Sequence, residues 1–172
     1  ELSSCFGRNA EHLFPSVRAA GNSALTSIKF YPDDGALYDV RGEQRGAWLP
    51  WHSDLVYSAA INHGGILRPQ IIPPRLGRTG FLCQIAAYER LPQQLRERIE
   101  GLHVVYEITI DHGDHPFADT DDVTCLRMAE SGLAIQRRKF TYPRAIHPMV
   151  YEQELTGRKV LNVSPGFALG IY

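Results

Sequence analysis

Two side chains in the run Pro50-Trp51-His52-Ser53-Asp54-Leu55 have the types and spacing to hold one metal ion. In extended backbone, residues i and i+2 project to the same side, so the His52 imidazole and the Asp54 carboxylate can face a common ion while Ser53 points away. One nitrogen and one oxygen donor, completed by a distant histidine, make the facial donor set of mononuclear non-haem iron(II) sites, which leaves three coordination positions open. A second cluster, Asp111-His112-Gly113-Asp114-His115, comes close to the His-x-His-x-Asp-His arrangement of zinc hydrolases, whose donors suit activation of a water. Ile110 stands where the first histidine of that arrangement belongs. The cluster therefore reads first as part of an acidic loop, residues 111–122, and a zinc-dependent hydrolase using His112, Asp114 and His115 remains an alternative.

The elements that must position these groups are short. Ser27-Ile28-Lys29-Phe30-Tyr31, Ala36-Leu37-Tyr38-Asp39-Val40, residues 66–72 and residues 103–110 are rich in β-branched and aromatic residues and partly alternate, which predicts strands. Pro69 places the third of them at an edge or a bulge. From Gln84 to Leu102 the apolar residues recur at three- and four-residue intervals, predicting a helical region broken near Pro92, with Pro92 at the first position of its second half and a stop before Gly101. Cys83 reads as a small buried residue on a strand running from Phe81 to Gln84, and Trp51 and Tyr57 read first as packing residues. Residues 159–167 read as a strand and a turn, and the first residue is Glu, so further polypeptide is expected at both ends. The fold class predicted is mainly β with helical insertions, in a single domain over residues 1–172.

Four ordered segments resemble one family. Trp51-His52-Ser53-Asp54-Leu55 resembles the metal-binding segment of the taurine dioxygenase-like (TauD/TfdA) iron(II)/2-oxoglutarate dioxygenases. Pro73-Pro74-Arg75-Leu76-Gly77-Arg78-Thr79-Gly80-Phe81 is similar to the family's Pro-Pro…Gly-Gly-Asp-Thr-x-Phe stretch, and Ala86-Ala87-Tyr88-Glu89-Arg90-Leu91-Pro92 to its Ala-Ala-Tyr-x-x-Leu-Pro helix start. His147-Pro148-Met149-Val150 with Thr156-Gly157-Arg158-Lys159-Val160-Leu161 resembles its His-Pro-x-Val…Thr-Gly-x-x-x-Leu segment. The resemblance implies a double-stranded β-helix, a cupin-like jelly roll, incomplete at the C-terminal end of this chain. It implies His52 and Asp54 as the first two iron ligands and Thr79 as the hydroxyl that hydrogen-bonds the distal carboxylate of 2-oxoglutarate. The family's third ligand, a His, and the Arg that pairs with 2-oxoglutarate follow the Thr-Gly-x-x-x-Leu segment, beyond this chain. His147 and Arg158 mimic that pair in spacing, but their surroundings match the earlier segment, so His147 reads as a structural or loop-anchoring residue. Leu76 and Arg78 replace Gly and Asp, and Ser164 stands where Asn is usual.

The activity implied is hydroxylation, or a related oxidation, of a C–H bond in a small organic substrate, with dioxygen consumed and succinate and carbon dioxide released. Asp54 fills the position that a small residue leaves to chloride in iron halogenases, which favours oxidation over chlorination. The alternative from another class is a non-catalytic jelly-roll binding protein with an incomplete metal site. Composition narrows the rest: 18 Lys plus Arg against 19 Asp plus Glu give a net charge of -1, so a nucleic acid or an acidic membrane is not an expected partner. Cys5, Cys83 and Cys125 are three, far apart and outside any CxxC spacing, which fits a reducing, cytoplasmic setting. No apolar run approaches the length of a membrane span. Family habit suggests a homo-oligomer. The substrate itself is not legible.

Overall fold

A computed structural model describes residues 2–108, 116–138 and 143–172. In chain order its elements are β1 (Arg18–Ala19), β2 (Asn22–Thr26), β3 (Leu37–Val40), β4 (Glu43–Gly46), α1 (Gln84–Arg90), α2 (Gln93–Ile99), β5 (His103–Tyr106), β6 (Val123–Arg127), α3 (Glu130–Arg138), β7 (Ala145–Pro148), β8 (Val150–Glu152), β9 (Lys159–Leu161) and β10 (Ala168–Ile171). The chain is mainly β with few helices. Among the described residues the strands form four small antiparallel sheets, ordered β1-β2, β4-β3-β6, β10-β5-β7 and β8-β9.

The β10-β5-β7 sheet carries the core. Val104 and Tyr106 of β5 are buried while His103 and Val105 are only partly so, the two-residue period of a strand with one covered face. The register pairs Val104 with His147 and Tyr106 with Ala145, so the buried side chains of β5 and β7 share that face. Tyr88 of α1, Ile99 of α2, Val56, Tyr57, Met149 and Ala168 complete the cluster. Burying a large apolar side chain contributes roughly 1.5–3 kcal/mol, so this sheet and its two helices are the stable platform of the molecule.

The helical region breaks where the sequence predicts, but Pro92 occupies the cap before α2 rather than its first helical position. Gly101 beyond α2 has φ +77, a left-handed conformation that stops a helix at little cost to glycine. Between β3 and β4 a two-residue turn, Arg41-Gly42, has both residues at positive φ, as a tight hairpin requires. Arg41 N–H is held by the Asp122 carbonyl, which ties this hairpin to the start of β6.

Three local expectations are corrected. Residues 27–31 form no strand; the strand lies just before them, as β2. Residues 66–72 are irregular and mostly exposed, with Ile71 and Ile72 facing solvent, because no neighbouring strand pairs with them among the described residues. Cys83 is exposed and not on a strand: it caps α1, its Sγ accepting the Ala86 N–H at 3.5 Å. Residues 159–167 give β9 and a short 3-10 turn, and β9 finds a partner in β8, while β10 follows and pairs with β5. The cluster at residues 111–115, including His112, Asp114 and His115, lies outside the described residues.

Candidate metal centre

His52 and Asp54 sit not in a strand but where extended chain enters two overlapping turns. Val56 N–H bonds the Ser53 carbonyl at 3.4 Å and Ser58 N–H bonds the Leu55 carbonyl at 2.8 Å, and Leu55 takes φ +58 between them. A leucine in the left-handed region is held there by its surroundings, and here its side chain packs against the core cluster. The two candidate ligands still project to one side, with His52 Nε2 and Asp54 Oδ1 3.3 Å apart. The imidazole is only 25% exposed whereas the carboxylate is 72% exposed, so the pair opens outward on the Asp54 side.

The hydrogen-bond chemistry of His52 decides what this pair can do. Its Nδ1 lies 2.8 Å from the Pro50 carbonyl oxygen, which can only accept, so Nδ1 carries a proton. Nε2 is then the lone-pair nitrogen of a neutral ring, and it faces a carboxylate oxygen that also offers only lone pairs. Such an arrangement needs a cation between the two atoms: a second proton on the imidazole, or a metal ion. The hydrogen bond with Asp54, opposed by burial and helped by the Pro50 carbonyl, accordingly raises His52 above the usual histidine value of 6.5. The same hydrogen bond holds Asp54 below the ordinary 3.8. For metal bonds of about 2.1 Å at a right angle, two donors lie about 3.0 Å apart, so the observed spacing fits a shared ion.

Four residues from a distant part of the chain, Ser164 to Phe167, form the floor under this segment. Ser164 Oγ accepts the Ser53 N–H at 2.9 Å, and Gly166 N–H donates to the Trp51 carbonyl at 3.3 Å. A Cβ on Gly166 would lie 3.1 Å from Pro50 Cγ and 3.2 Å from the Trp51 oxygen, so a side chain here would press the two backbones apart by a few tenths of an ångström. The Phe167 ring meets the His52 ring edge-on at 5.6 Å and the Tyr57 ring at 4.9 Å, covering the inner side of the imidazole. Ser164 is buried. Its backbone N–H donates to Tyr106 Oη at 3.3 Å, and that hydroxyl donates to the Asn162 carbonyl at 3.0 Å.

On the other side, Tyr57 Oη lies 3.1 Å from His12 Nε2, and His12 Nδ1 accepts the Phe14 N–H. That bond leaves the proton of a neutral His12 on Nε2, directed at the tyrosine oxygen. Burial lowers His12 from 6.5, and burial together with the Asp54 charge raises the Tyr57 phenol. Tyr57 is thus a buried packing residue, as expected, whereas Trp51 is mostly exposed and lies over Gly80.

Thr79 is exposed, in irregular chain. Its segment runs beside the candidate ligands: a Cβ on Gly80 would lie 2.6 Å from Trp51 Cη2, and Gln84 Nε2 donates to Ser53 Oγ at 3.4 Å. His147 is buried in β7 with Nε2 2.8 Å from the Ser58 carbonyl, an anchor for the chain leaving the His52 segment. Among the described residues no group of three or more His, Cys, Asp or Glu is assembled for a metal, so His52 and Asp54 stand as a pair. The floor that Ser164, Gly166 and Phe167 make under the candidate ligands was not legible in the sequence, since the contact of Ser53 with Ser164 spans 111 positions.

A histidine and a carboxylate two residues apart, aimed at one point in a mainly β chain, define a candidate mononuclear metal site of the non-haem class. The chain belongs to the taurine catabolism dioxygenase TauD, TfdA family, which matches residues 2–171. It is 26% identical over 179 residues to a Schizosaccharomyces pombe protein named as an alpha-ketoglutarate-dependent sulfonate dioxygenase, covering 97% of this chain and 38% of that protein. An alpha-ketoglutarate-dependent sulfate ester dioxygenase of Pseudomonas putida is 28% identical over 134 residues, 76% of this chain and 42% of the relative. A (S)-phenoxypropionate/alpha-ketoglutarate-dioxygenase of Sphingobium herbicidovorans is 30% identical over 60 residues, 35% of this chain and 21% of the relative. The chain therefore spans less than half the length of these relatives. Neither the binding-protein nor the zinc-hydrolase alternative gains support from them. No helix among the described residues is long and apolar enough to cross a membrane.

Proposed function

We propose that the protein is an iron(II)- and 2-oxoglutarate-dependent dioxygenase that hydroxylates, or otherwise oxidises, a C–H bond of a small organic substrate. Residues 1–172 are read as part of one catalytic domain of double-stranded β-helix type. His52 and Asp54 are its first two iron ligands, and Thr79 contacts the distal carboxylate of 2-oxoglutarate. When bound, iron(II) with 2-oxoglutarate and dioxygen supplies the oxidising power, and succinate and carbon dioxide are released. The observation that carries the reading is the lone-pair nitrogen of His52 facing Asp54 Oδ1 at 3.3 Å, in a chain of this family.

The chain's own residues have definable tasks. The Pro50 carbonyl keeps one ring proton on Nδ1, so that Nε2 is the nitrogen left to coordinate when a metal ion displaces the proton shared with Asp54. Asp54 supplies the negative charge that favours a cation and remains open to solvent on its outer side. Phe167 and Tyr57 close the inner side with aromatic surface and keep water from the back of the imidazole. The Thr79 hydroxyl is one donor to a carboxylate, which orients a cosubstrate but leaves the rest of its charge for another residue to balance.

The test is anaerobic loading of the full-length protein with iron(II), then succinate formation from 2-oxoglutarate in air. His52→Ala and Asp54→Ala should each lower succinate formation by about 100-fold or more, since they remove ligands rather than the outer groups whose loss costs 10–100-fold. A His52→Ala protein with wild-type turnover would overturn the ligand assignment, and a wild-type protein that never consumes 2-oxoglutarate would overturn the function.

A further inference from the structure

The backbone around His52 is pinned from both sides by one element. The peptide group before His52 is held through its carbonyl, Trp51 O, by Gly166 N–H at 3.3 Å. The peptide group after His52 is held through its N–H, that of Ser53, by Ser164 Oγ at 2.9 Å. Those two peptide planes set the φ and ψ of His52, and with them the direction in which its ring leaves the chain. The first contact is between backbones, which no side-chain substitution at position 166 can supply. The second depends on one hydroxyl.

The residue that carries it is well held. Ser164 is 1% exposed, and its own N–H donates to Tyr106 Oη, which is fully buried in the β10-β5-β7 sheet. A continuous path therefore runs from the most buried ring of the core, through Ser164, to the peptide between the two candidate ligands. Metal donors function only when held within about 0.5 Å of their productive positions, and a turn containing a left-handed leucine does not hold itself that tightly. Gln84 reaches only the Ser53 side chain, through a longer contact of 3.4 Å, so it cannot replace the backbone anchor.

We propose that Ser164 is a positioning residue for the metal centre: its hydroxyl, carried on a backbone that Tyr106 braces, fixes the Ser53 peptide and so the angle at which His52 and Asp54 meet one divalent ion. This rests on the ligand assignment of His52 and Asp54, and the experiment separates the two. The full-length protein is titrated anaerobically with cobalt(II) alone, and both the dissociation constant and the visible ligand-field absorption of the bound ion are read.

Ser164→Ala should weaken cobalt(II) binding by about tenfold or more, the scale seen when groups that orient a ligand are removed, and should alter the absorption envelope. Ser164→Thr, which keeps the hydroxyl, should restore both toward wild type. Ile99→Ala, a core truncation in α2 that removes none of the hydrogen bonds to the His52 segment, should lower the unfolding midpoint while leaving cobalt(II) affinity and spectrum unchanged. The proposal is overturned if Ser164→Ala binds cobalt(II) like wild type with the same spectrum while His52→Ala abolishes binding. It is equally overturned if Ile99→Ala weakens binding as much as Ser164→Ala, since the effect would then be one of general stability. Wild-type cobalt(II) binding in His52→Ala would instead remove the ligand assignment on which the proposal stands.

Discussion

Replacing Tyr106 by Phe removes one oxygen from the centre of the structure, and the consequences can be worked from its partners. The ring is 0% exposed, and its hydroxyl both donates to the Asn162 carbonyl at 3.0 Å and accepts the Ser164 N–H at 3.3 Å. Two net hydrogen bonds at about 1 kcal/mol each set a floor near 2 kcal/mol, and a stranded buried carbonyl or N–H adds part of the 1–3 kcal/mol that such a group costs. Phenylalanine no longer has to dehydrate a hydroxyl, which offsets some of this, so the expected loss is about 2–3 kcal/mol. In urea, with a slope of about 2 kcal/mol/M, the unfolding midpoint should fall by about 1–1.5 M with the slope unchanged. Tyr88→Phe is the comparison: its hydroxyl donates to Glu100 at the surface, where water can take its place, so it should cost clearly less. A Tyr106→Phe loss below about 0.5 kcal/mol would refute the bridging role and would remove the brace assigned to Ser164. Consistent with that burial, desolvation pushes the Tyr106 phenol up to about 12.

Other outcomes follow from single contacts. Gly166→Ala places a methyl 3.1 Å from Pro50 Cγ and 3.2 Å from the Trp51 oxygen; it should cost about 1–3 kcal/mol in stability, read by chemical denaturation, and should weaken metal binding because the floor is forced away from His52. Glu100 accepts hydrogen bonds from Lys159 and from Tyr88, which together hold it below the ordinary value of 4.5. Because its folded-state value is the lower one, its contribution to stability is complete above pH 4.5 and disappears as pH falls through that lower value. Glu100→Gln should therefore be less stable than wild type at neutral pH, and the two thermal midpoints should converge in acid; a gap that persists or widens below pH 4 would contradict the sign.

The parts legible in the sequence are those set by local periodicity. The helical intervals from Gln84 and the interruption at Pro92 give α1 and α2, and the alternation at His103–Tyr106 gives β5. The shared side of His52 and Asp54 was legible too, although turns rather than a strand produce it. Residues 27–31 and 66–72 have equally good strand composition yet form none, because a strand exists only where a partner supplies the other half of its hydrogen bonds. Ser164 reads locally as a turn residue before Pro165-Gly166, and its importance comes from a contact with Ser53 that no window along the chain contains. Cys83 illustrates the opposite error: hydrophobic neighbours suggested burial, but the start of α1 needed an acceptor for the Ala86 N–H.

The most direct measurement is a crystal structure of the full-length protein loaded anaerobically with iron(II), with anomalous scattering recorded across the iron absorption edge. One iron peak is expected within about 2.1 Å of His52 Nε2 and of the Asp54 carboxylate, with Nδ1 of the same ring still on the Pro50 carbonyl. An iron peak elsewhere in the fold, or a saturated protein in which His52 and Asp54 keep only each other, would contradict the assignment.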